Sequence, residues 1–66
     1  MEIIVNGEAQ RMEGAPTVAA LLDARGLSGK RVAVERNGEI VPKSRHGETP
    51  LTSGDRVEIV VAVGGG

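Results

Sequence analysis

The sequence predicts an α+β fold, a mixed sheet of four to five strands packed on one helix. Three observations point to it. Two Asn-Gly pairs follow β-favouring runs: Asn6-Gly7 comes after Ile3-Ile4-Val5, and Asn37-Gly38 after Val32-Ala33-Val34. Between Ala15 and Gly26 the apolar spacing switches to a helical period. A last valine- and isoleucine-rich run, Arg56 to Val63, leads directly into Gly64-Gly65-Gly66.

Asn-Gly suits a two-residue hairpin turn because both central residues must take positive φ. The first pair joins a strand at Ile3–Val5 to a return strand between Glu8 and Met12. Thr17 is the expected N-cap of a helix over Val18 to Arg25. Val18, Leu21 and Leu22 form its apolar face, and Gly26 follows as the left-handed residue that ends it. The second Asn-Gly pair turns the strand at Val32 into a short return strand at Ile40-Val41. Pro42 stops that strand, because proline has no N–H for a ladder. Lys43 to Thr49 is polar and is expected as a loop containing at most one helical turn. Ser53-Gly54-Asp55 is a turn that launches the final strand, in which Val57, Ile59 and Val61 share one face. A hairpin, a helix and returning strands on one sheet make a two-layer design, with the first and last strands parallel and the helix in the crossover. That is the β-grasp arrangement.

Composition narrows the function. With 66 residues the chain is expected to be one domain burying only about 60% of its unfolded surface, too little for a walled catalytic cleft. It has no cysteine, so neither a disulfide scaffold nor a thiolate nucleophile is available. The net charge is −1 and there are no aromatic residues, which offers neither a field nor stacking platforms for nucleic acid. No apolar run approaches the roughly 18–20 residues of a membrane span, and no basic-then-apolar leader opens the sequence. The expectation is therefore an untargeted, cytoplasmic chain, monomeric when free, that binds neither nucleic acid nor membrane.

No internal constellation reads as catalytic or metal-binding. His46 lacks a positioned nucleophile and is expected as a solvated loop residue. Glu35, Glu39 and Asp55 are expected as turn or surface acids. The glycines at 64–66 are the specific feature. They continue a strand without a polar linker, and an extended tail of that length reaches about 10–14 Å. Glycines let it thread a narrow channel. A carboxylate at Gly66 is ionised at neutral pH and must be activated, for example as an acyl-adenylate, before a nucleophile attacks. The sequence has no phosphate-binding loop for that step, so the activating enzyme is expected to be a separate protein. The division expected is a β-grasp domain over 1–63 and a flexible C-terminal glycine tail over 64–66. On the sheet face away from the helix, Ile4, Val60 and Ala62 form a candidate docking patch.

Several segments resemble the ThiS family, the ubiquitin-like sulfur carriers of thiamine biosynthesis. The similar stretches are Ile3-Ile4-Val5-Asn6-Gly7-Glu8, Thr17-Val18-Ala19-Ala20-Leu21-Leu22, the run from Val32 to Pro42, Gly54 to Val60, and Val63-Gly64-Gly65-Gly66. The resemblance implies a ubiquitin-like β-grasp fold and a carrier rather than an enzyme. It implies that Gly66 is adenylated by a ThiF-like partner that uses ATP, and is then converted to a thiocarboxylate. That group would donate sulfur to a ThiG-like thiazole synthase, with Gly64 and Gly65 threading the partners. No bound cofactor is implied. The alternatives are a molybdopterin-synthase small-subunit-type sulfur carrier, a ubiquitin-like protein modifier and a β-grasp binding module without tail chemistry.

Overall fold

The computed structural model describes residues 1–62. Its elements are β1 (Glu2–Val5), β2 (Glu8–Arg11), α1 (Val18–Ala24), β3 (Val32–Arg36), β4 (Glu39–Val41) and β5 (Arg56–Val61), with a 3₁₀ turn at Lys43–Arg45. One five-stranded sheet runs β2-β1-β5-β3-β4. β1 and β5 are parallel, and the other neighbours are antiparallel. This is the mixed sheet the sequence predicts. Val63 and the tail expected at Gly64–Gly66 lie outside the described residues.

Both Asn-Gly pairs form the expected turns. Asn6 and Asn37 have φ of 50° and 52°, and the glycines after them 84° and 85°. Such paired positive values match the twist of the flanking strands. The helix starts at Thr17, whose Oγ1 accepts from the Ala20 N–H at 3.2 Å. It has no capping box, and other segments satisfy its remaining first-turn donors. The Val18 and Ala19 N–H groups donate to the Thr49 and His46 carbonyls, each at 2.9 Å. At the other end the Leu27 N–H bonds Leu22 O at 2.8 Å and the Gly26 N–H bonds Asp23 O at 3.0 Å. With Gly26 at φ +71°, this pair of bonds is a Schellman closure.

The core is aliphatic. Ile3, Val5, Val57 and Ile59 of the sheet meet Val18, Leu21 and Leu22 of the helix, with Val34, Val41 and Leu51 completing it. Val61 follows the same alternation but stays 41% exposed.

Two expectations are corrected. His46 is buried, and its Nε2–H donates to the Val41 carbonyl at 3.1 Å. The segment after the 3₁₀ turn folds back over the start of α1, so His46 closes one end of the core instead of meeting solvent. Asp55 is also buried. It is not a surface acid, because Arg36, Asn37 and Thr52 gather around its carboxylate.

Candidate functional site

β5 carries the tail, so the site begins with what fixes β5. It is a central strand, paired with β3 along its length and with β1 over its first residues. At its start the Asp55 carboxylate accepts from Arg36 Nε at 2.7 Å, Asn37 Nδ2 at 3.1 Å, and the Thr52 N–H and hydroxyl at 2.9 and 3.0 Å. The Asn37 Oδ1 in turn accepts from the Arg56 N–H at 2.9 Å. Burial pushes the Asp55 pKa up. The hydrogen bonds from Thr52, Arg36 and Asn37 outweigh it and hold the group down at about 2, against an ordinary 3.8.

A carboxyl held below its unfolded value stabilises the fold above that value. The contribution disappears as pH falls through the folded one. Stability is therefore expected to drop by roughly 2 kcal/mol between about pH 4 and pH 2 on account of Asp55. Asp55→Asn should flatten that part of the pH profile in urea titrations. An unchanged acid limb in the variant would refute the assignment.

Farther along β5, Asn6 performs a similar task. β1 ends where Asn6 turns away, yet the side-chain amide continues the pairing. Its Oδ1 accepts from the Ile59 N–H at 2.7 Å, and its Nδ2 donates to the Ile59 carbonyl at 3.2 Å. Both turn asparagines thus anchor the strand that leads to the tail. Sequence reasoning read them only as turn formers. The available signal was the amide itself, since an aspartate could not donate to the Ile59 carbonyl. The last described bond before the tail runs from the Ala62 N–H to the Arg31 carbonyl at 2.9 Å.

The three candidate docking residues separate. Val60 is 64% exposed on the face away from the helix, opposite Ala33 of β3, with exposed Ala62 beyond it. Ile4 is half-buried and level with Arg56. It lies four residues back along the strand direction, about 13 Å away. Arg56 stands beside Ile4, and Glu58 lies between it and Val60 on β5. The apolar ground near the tail is therefore Val60, Ala33 and Ala62, without Ile4. Gly64, Gly65 and Gly66 lie outside the described residues. Among the described residues no cluster of metal-ligating side chains forms, and no helix is long and apolar enough to cross a membrane.

A profile of the ThiS family matches residues 3–66. The chain belongs to the ThiS family. The sulfur carrier protein ThiS of Bacillus subtilis is 48% identical over 50 residues, covering 76% of each chain. Thiazole synthases of Paramagnetospirillum magneticum and Magnetococcus marinus are 46% and 38% identical over all 66 residues of this chain. The chain spans only 20% of the length of each of these synthases. Among solved structures, the thiamine biosynthesis protein ThiS of Geobacter metallireducens superposes with a TM-score of 0.83 at 33% identity over the whole of both chains. The β-grasp reading of the sequence thus agrees with a solved ThiS structure.

Proposed function

We propose that this ThiS-family chain is a sulfur carrier of thiamine biosynthesis, a co-substrate of other enzymes whose working group is the Gly66 carboxylate. The observation that carries this is the match across residues 3–66, which includes the terminal glycines. The name of the Bacillus relative supports it. In the reaction a Gly66 carboxylate oxygen attacks the α-phosphorus of ATP in a ThiF-like enzyme and pyrophosphate leaves. Hydrosulfide then adds to the acyl carbonyl and AMP departs with the original oxygen, leaving a thiocarboxylate. The likeness to two thiazole synthases supports a ThiG-like enzyme as the acceptor of that sulfur. Gly64 and Gly65 pass through the partner channels, where a Cβ would obstruct closure around the backbone.

The test uses intact-mass spectrometry. With the ThiF-like enzyme of the source organism, ATP and sulfide, the chain ending at Gly66 should gain the mass of one sulfur in place of one oxygen, located at Gly66 by fragmentation. No gain with an enzyme that consumes ATP would overturn the reading.

We infer further that Val60 and Ala62, with Ala33 beside them and without Ile4, face these enzymes. Val60→Glu puts a charge on an exposed position and should leave the denaturant midpoint unchanged. It should weaken binding to the ThiF-like enzyme by about tenfold or more. Wild-type affinity in calorimetry would dispose of the patch.

A further inference from the structure

Hydrogen bonds along β5 alternate strictly. The Arg56 carbonyl accepts from Asn37, beside β3, and the Ala62 N–H donates to Arg31 on that same side. The carbonyls of Asp55 and Val57 face β1, accepting from Ile4 and Asn6, and the backbone of Ile59 meets the Asn6 amide there. The Val61 N–H and carbonyl must therefore also point to the β1 side. β1 has ended by then, and its Asn6 substitute reaches only Ile59. Among the described residues nothing pairs with the Val61 backbone on that side.

We propose that this open stretch of β5 receives an extended segment of the enzyme that activates the tail, added to the sheet as a further strand. The proposal rests on the tail chemistry above and names where the enzyme first grips the chain. Strand addition supplies main-chain hydrogen bonds, and flanking side chains supply selectivity. Here the flanks are apolar, with Val60 on one face and Val61 on the other, so the incoming strand should carry aliphatic residues on both faces. The outer edges of the sheet differ, since β2 holds Glu8 and Arg11 and β4 holds Glu39. Edge charges discourage pairing with foreign strands, and the Val60-Val61-Ala62 stretch has none. A second copy is the poorer occupant. One free residue per chain gives little contact, whereas a specific association needs about 1,000 Å² or more. An enzyme that also encloses the tail can bury that area.

The experiment replaces the Val61 amide by an ester through chemical synthesis, which deletes the N–H and keeps the side chain. The same change at Val60, whose N–H faces β3, serves as control and should lower the denaturant midpoint more than the Val61 ester does, since the latter only weakens the Val60 carbonyl as an acceptor for β3. Binding to the ThiF-like enzyme should weaken about three- to tenfold for the Val61 ester. In the wild-type complex the Val61 amide should exchange with deuterium at least tenfold more slowly than in the free chain. Unchanged exchange at Val61, or equal affinity of the ester, would overturn the proposal. So would slow exchange in the free chain accompanied by a doubled mass, which would make a second copy the occupant. Sulfur gain at Gly66, read by mass in the same samples, separates failure of the edge from failure of the tail chemistry.

Discussion

A single residue appended after Gly66 is expected to reduce sulfur loading to background. The extension leaves every core contact in place and changes one functional group. A carboxylate oxygen can attack the α-phosphorus of ATP and later leave with AMP, whereas a peptide carbonyl at the same position can do neither. It also places an extra residue where the enzyme expects the chain to stop. Gly65→Val should impair the same step while keeping the carboxylate, since a β-branched side chain widens the tail and restricts its backbone. The readout is the sulfur-for-oxygen mass gain against time, with the intact mass showing that the extended variant is unprocessed. Wild-type loading of that variant would remove Gly66 from its role.

Leu21→Ala is expected to destabilise the fold by about 2–5 kcal/mol, the cost of removing a fully buried leucine and leaving a partly collapsed cavity. Leu21 is fully buried, in the same core cluster as Ile3, Val5 and Val57. Domains typically have about 5–15 kcal/mol of net stability. In a core this thin the loss takes most of what is available. A urea midpoint unchanged in the variant would refute the assignment of the helix face.

These two expectations rest on features that were legible in the sequence because they are local. The Asn-Gly turns, the face of Val18, Leu21 and Leu22, and the stop at Pro42 each follow from a few adjacent residues. What escaped was made by distant segments meeting. His46 read as part of a polar loop, and Leu51 was assigned to no element. They are buried because the chain from 46 to 51 returns to supply carbonyl acceptors to the first turn of the helix. Asp55 read as a turn residue. Its neighbours Arg36 and Asn37 come from the far side of a crossover that no spacing rule spans. Strand alternation put Ile4 and Val60 on the face away from the helix. The parallel register that sets Ile4 beside Arg56, away from Val60, becomes visible only in the assembled sheet.

The strand order also dictates when this protein can become itself. The hairpins β1–β2 and β3–β4 are joined in the sheet only through β5. Neither hairpin can complete the sheet until residues 56–61 are free to pair with both. Closure then brings Ile4 to Arg56 across almost the whole chain. Long-range pairing of this kind is slow relative to local structure, so closure of the sheet is expected to trail the turns and the helix. A polypeptide that lacks β5 therefore keeps two hairpins with nothing to join them into a sheet.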